Sequence, residues 1–139
     1  PDEMRKVVRT IIRAGADWIK LCSTGGVMSP LDPPDTPQFS AEELAVAVEE
    51  ARAARLGGVM AHAIGAQGIK NAVHAGVRSI EHGTFLDEEA AEMMVERRTW
   101  LVPTLTAGDT TEALADDTRI QPAVREKLRD LGRPEFSAM

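Results

Sequence analysis

Residues 66–82, AQGIKNAVHAGVRSIEH, contain the plan of the whole chain in one unit. Ala66, Ile69, Ala72 and Val73 recur at helical spacing and give a short helix one apolar face. Gly76 follows them, and a glycine can take the left-handed conformation that closes a helix. Val77 to His82 then reads as a short strand. The same order recurs on both sides. Upstream, Met4, Val7, Val8, Ile11 and Ile12 form a stripe, Gly15 closes it, and Ala16 to Leu21 forms a strand. Ser40-Ala41-Glu42-Glu43 is a capping box opening a helix with Leu44, Ala47, Val48 and Ala51 on one face. That helix runs to Gly57-Gly58, and Val59 to His62 is the next strand. Downstream, Asp87 caps a helix carrying Ala90, Ala91, Met94 and Val95, followed by a strand from Thr99 to Pro103. A last helix is predicted from Pro122 to Leu131, with proline in its first turn and Gly132 and Pro134 as its stop.

Strict helix–strand alternation with short connections predicts an α/β fold built on a parallel sheet. Polar residues stand at the ends of successive strands: Lys20, His62, His82 and Thr104. A closed barrel gathers all its strand ends at one mouth, whereas a doubly wound sheet concentrates its chemistry at one switch point. The barrel fits better. A complete TIM (β/α)8 barrel takes about 250 residues. Four strands in 139 residues therefore predict a partial barrel of about four consecutive β/α units.

The composition suits a single domain over residues 1–139, being 43% apolar and 27% charged. A net charge of −6 carried on helix faces excludes a nucleic-acid surface, which would need a basic stripe. Nor does any apolar run approach the ~20 residues of a membrane helix. The expected partner is a small-molecule substrate. A single cysteine, Cys22, cannot form an intrachain disulfide and fits a reducing, cytoplasmic setting. The segment from Leu21 to Phe39 carries Pro30, Pro33, Pro34 and Pro37 and is long enough to cover a barrel mouth. Leu105 to Gln121 reads as a polar, mobile loop ahead of the last helix.

Lys20, His62 and His82 each lie five or six residues beyond the glycine that ends the preceding helix. Strands rise about 3.3 Å per residue, so all three reach a similar height at the C-terminal rim. Two histidines there are suitable ligands for a divalent metal, Zn²⁺ first among them. A lysine is the odd member: an ammonium repels a metal and becomes useful only where desolvation favours the neutral amine. His74, near a helix C-terminus, suits the helix dipole and is given no catalytic role. Glu81 precedes His82, so strand alternation points it the other way, toward a helix or a structural partner. Cys22 is expected as a small buried residue, and Trp18 and Trp100 as packing residues. Ser23-Thr24-Gly25-Gly26 lacks P-loop spacing and is read as a close turn beside the site.

The stretches 14–20 (AGADWIK), 23–30 (STGGVMSP), 60–63 (MAHA) and 79–84 (SIEHGT) resemble the amidohydrolase superfamily, most closely its imidazolonepropionase-like and prolidase-like branch. The resemblance runs from about Pro1 through Leu105 and places the four strands as the barrel's fourth to seventh. It implies that Lys20 takes up CO₂ as a carbamate bridging two divalent metals, and that His62 and His82 complete one metal's shell. It implies hydrolysis of an amide or other C–N bond, in a dipeptide or N-acyl amino acid, by a metal-activated hydroxide. The family's His-x-His on the first strand and aspartate on the eighth have no counterpart in this sequence, so no catalytic proton-handling residue is assigned. The chain alone is expected to be inactive. Two other readings compete. Lys20 followed by Ser23-Thr24-Gly25 also resembles the Schiff-base strand of class I aldolases, with Lys20 as nucleophile. Alternatively, a half-barrel with two unpaired edges would be a non-catalytic module that self-associates into a homo-oligomer.

Overall fold

The computed structural model describes residues 1–131. Four strands alternate with helices: α1 (Asp2–Arg13), β1 (Ile19–Cys22), α2 (Ala41–Ala53), β2 (Val59–Ala63), α3 (Ala66–Ala75), β3 (Ser79–His82), α4 (Glu88–Arg97) and β4 (Trp100–Val102). Two more helices follow, α5 (Leu105–Ala115) and α6 (Pro122–Leu131). The strands form one parallel sheet in the order β1-β2-β3-β4. Parallel neighbours in sequence order, joined through helices, are the wall of a barrel rather than an open sheet with a reversal of strand order.

Local chemistry sets the element ends. Ser40 accepts from the Glu43 amide while the Glu43 carboxylate accepts from the Ser40 amide, so the predicted capping box is formed. Gly76 ends α3 in the left-handed conformation at φ 90°. The Asp87 carboxylate accepts from the Ala90 amide at 2.8 Å and opens α4. Helix α2 stops at Ala53, short of Gly57-Gly58, because Arg55 turns left-handed at φ 57°.

The sheet has two unlike faces. Ile19 and Leu21, Val59, Ala61 and Ala63, and Ile80 belong to the buried core beneath the helices. Helix residues meet them there, among them Val8, Leu44, Ala47, Ala51, Ile69, Ala72, Val73 and Ala90. Ala47, Ala61, Ala63, Ala72 and Ala90 are wholly inaccessible, so backbone lies close to backbone across this layer. The opposite, inner face carries Lys20 and Cys22, Met60 and His62, Ser79 and Glu81, and Trp100 and Val102. Outside the sheet, Glu50 is buried between α1 and α2, where Arg9 donates to it at 2.8 and 2.9 Å and Arg5 donates as well.

One prediction is overturned: residues 105–115 form helix α5 rather than a loop. Its sequence, LTAGDTTEALA, lacks an apolar stripe and contains a glycine. Its support is tertiary instead, since Ala115 is buried with Val124 and Leu128 of α6, and Ile120 and Val27 pack on that cluster. The predicted helix from Pro122 to Leu131 is present; its proposed stop, Gly132 and Pro134, lies outside the described residues.

Candidate metal centre

His62 and His82 come together at the C-terminal rim, their ring centroids 4.7 Å apart and their planes at 72°. Each ring is tethered. His62 Nε2 lies 3.0 Å from the Gly25 carbonyl oxygen. A carbonyl only accepts, so Nε2 carries the proton and Nδ1 keeps its lone pair. His82 Nδ1 shares a 2.8 Å hydrogen bond with Thr104 Oγ1, which directs its Nε2 into the rim. Metal-ligating histidines are held in this way, one nitrogen to a protein group and the other to the cation. A zinc ion shared by two imidazoles lies about 3.2 Å from each ring centre, so the centres can be at most about 6.4 Å apart. The observed spacing fits.

Lys20 occupies the same inner face, opposite Met60 in the register, while Cys22, two residues on, lies opposite His62. Desolvation lowers the Lys20 ammonium pKa, against the raising fields of Glu81 and Cys22. His82 is also lowered, by burial first and then by His62 and Lys20, with Glu81 opposing. The amine and the two imidazoles therefore share one electrostatic neighbourhood. Among the described residues, no group of three or more His, Cys, Asp or Glu is placed to hold a metal.

His82 reaches His62 by an irregular route. Ala63 pairs with His82 and His62 with Glu81, so alternation gives the inner face to Glu81. His82 takes φ 75°, Gly83 follows at φ 63°, and the imidazole swings round to meet His62. Thr104, its hydrogen-bond partner, is also left-handed at φ 48°. Non-glycine residues such as His82 and Thr104 held in this conformation cost roughly 1–3 kcal/mol each. The expectation that Glu81 faces a helix is thus corrected: it lies on the inner face and accepts from Ser79 Oγ at 2.6 Å. Cys22 is likewise corrected, being exposed rather than buried, because it shares the row of Lys20. Trp100, expected in packing, is 65% exposed on the inner face of the edge strand β4.

Ser23-Thr24-Gly25-Gly26 forms the expected close turn beside His62, at the start of a segment that returns through Pro37. Ser23 and Thr24 are buried; Ser23 Oγ donates to the Gly68 carbonyl at 2.8 Å and Thr24 Oγ1 accepts from the Ile64 amide at 3.0 Å. Gly25 donates its amide to the Thr36 carbonyl at 3.2 Å, and its own carbonyl accepts from Thr24 Oγ1 at 3.2 Å as well as from His62 Nε2 at 3.0 Å. This carbonyl's partner is not legible in the sequence, because a backbone group has no residue type to read. His74 is exposed in the last turn of α3, near the helix C-terminus where it was expected.

Parallel β/α units with paired histidines and a lysine on one rim define an amidohydrolase-type barrel wall. The chain belongs to the amidohydrolase family, whose pattern matches residues 1–132. Ochratoxinase of Aspergillus niger is 50% identical over 97 residues, which is 69% of this chain and 20% of that protein. A Xaa-Pro dipeptidase with methionine bound in its active site superposes with a TM-score of 0.91 at 41% identity, over 96% of this chain and 33% of that one. A prolidase complexed with N-methylphosphonate-L-proline superposes with a TM-score of 0.86 at 39% identity, over 94% of this chain and 32% of that one. The chain thus spans about a fifth of the curated relative and a third of the solved structures. Its four-stranded sheet is part of a TIM barrel. Among the described residues, no helix is long and apolar enough to cross a membrane.

Proposed function

We propose that this chain is part of the catalytic barrel of a metal-dependent amidohydrolase that cleaves the C–N bond of a dipeptide or N-acyl amino acid. The observation that carries the reading is the His62–His82 pair, tethered through one nitrogen each to Gly25 and Thr104. Its donor set fits a divalent cation, with Zn²⁺ preferred for imidazole ligands. Lys20 would join as a carbamate, formed from its neutral amine and CO₂ with release of a proton; the lowered ammonium pKa favours that step. When bound, the metal would polarise the scissile carbonyl and lower the pKa of water. The chain's own residues fix the ligands: the Gly25 carbonyl and the Thr104 hydroxyl orient the rings. The dipeptidase and prolidase among the structural relatives support the dipeptide-like substrate. A Schiff-base role for Lys20 has no comparable support, since imidazoles stand beside it rather than a second lysine.

No residue of the chain stands for the family's first-strand His-x-His or eighth-strand aspartate, so the chain by itself would not turn over substrate. A cytoplasmic setting suits its free thiol, Cys22. Self-association is a second proposal, favoured by the edge positions of β1 and β4 and by the exposure of Trp100. Zinc analysis after dialysis with and without bicarbonate tests the metal reading. Retention should rise with bicarbonate, and both His62→Ala and Lys20→Met should remove the increase. Retention indifferent to bicarbonate and to both substitutions would overturn it.

A further inference from the structure

Lys127 lies on α6, 95 to 101 residues along the chain from its partners, yet its ammonium donates to three carbonyls of the 23–37 segment. These are Gly26 at 3.4 Å, Ser29 at 2.6 Å and Asp32. An ammonium has three donors and no acceptor, so three converging carbonyls use its full capacity. The contact is reinforced by an apolar one, because Val27 of the same segment packs on Ala115, Val124 and Leu128. Gly25 adjoins the first of the clamped carbonyls and is backed by two groups of the segment's far limb, Asp32 and Pro33. The Gly25 carbonyl is the group that accepts the hydrogen bond from His62 Nε2.

We infer that Lys127 is a positioning residue of the metal centre: it clamps the 23–37 segment so that the Gly25 carbonyl holds His62 in the tautomer with Nδ1 free. This inference rests on the proposed metal reading only for its functional consequence; the clamp and the tautomer are properties of the metal-free chain. Without the ammonium, the segment loses its polar anchor to α6, and the Nε2-bound proton of His62 loses a fixed acceptor. The ring then samples both tautomers, and one of them blocks the ligating nitrogen.

The test compares Lys127→Met and Lys127→Arg with the parent in the full chain, metal-free, above the titration range of imidazole. Hydrogen exchange at the Gly25, Thr36 and Gln38 amides should quicken about tenfold or more in Lys127→Met. The β2 and α3 amides should be unchanged. Nitrogen-15 shifts of the His62 ring should move toward a tautomer mixture while those of His74 stay fixed, and Lys127→Arg should restore most of both signals. Should Lys127→Met fail to fold, Val27→Ala loosens the same anchor and must give the same local pattern. Unchanged loop exchange and an unchanged His62 spectrum would overturn the inference, as would uniform acceleration throughout the sheet. Zinc affinity, measured afterwards, should fall about tenfold in Lys127→Met. A parent chain that binds no zinc would sink the metal reading and leave the tautomer result standing.

Discussion

At Gly25 the chain has room for a hydrogen and nothing larger. A Cβ there would lie 2.3 Å from the Pro33 carbonyl oxygen and 2.8 Å from that of Asp32, both backbone atoms that can yield only by moving the loop. Gly25→Ala should therefore cost about 1–3 kcal/mol in denaturant unfolding and displace the carbonyl from His62. Unfolding midpoints equal to the parent's would refute that close fit. His82 shows a different limit. Its height on the strand predicts that it meets His62 at the rim, and the two rings do meet there. Parity misleads: Lys20 and His62 lie five residues beyond Gly15 and Gly57, and His82 six beyond Gly76. That odd step announces a turned backbone, which φ 75° then supplies. Glu81 was misplaced for the same reason.

Elements with their own signals were legible. The Ser40 capping box, the Asp87 cap and Gly76 each satisfy or release a particular backbone group, so the residue type names the structural event. Helix α5 was not legible because its support comes from α6, beyond the reach of any local pattern. The Lys127 clamp is hidden for the same reason, its partners lying 95 to 101 residues away. Between α1 and α2 the Glu50 carboxylate is held below its ordinary pKa of 4.5, first by the hydrogen bond from Arg9, with burial opposing and Arg5 assisting. A carboxylate depressed on folding stabilises above its unfolded pKa, and that contribution is lost as pH falls through the folded value. The α1–α2 tie should accordingly weaken on acidification below about pH 4.5. Urea midpoints followed from neutral pH into that range should fall less steeply for Glu50→Gln than for the parent. Identical slopes would assign the acid sensitivity to other groups.

For the molecule as a whole, the open side of the sheet is the dominant feature. Trp100 and Val102 are 65% and 42% exposed on β4, whose outer edge has no strand beside it among the described residues. Sedimentation at tens of micromolar should show species larger than a monomer, and Trp100→Glu with Val102→Glu should weaken the assembly about tenfold or more. A single monomeric boundary for the parent would remove the self-association proposal without touching the histidine pair. The barrel wall was readable from sequence because one helix–glycine–strand unit is repeated. Nothing in that repeat specifies what lies across the inner face.

The alanines between helices and sheet carry a consequence of their own. Side-chain truncation there has almost nothing to delete, so an alanine survey would pass silently over Ala47, Ala61, Ala63, Ala72 and Ala90. Added bulk at the same five places would pry helix from strand and tilt the rim that the strands present. This layer punishes growth, and natural variation there should run among the smallest residues.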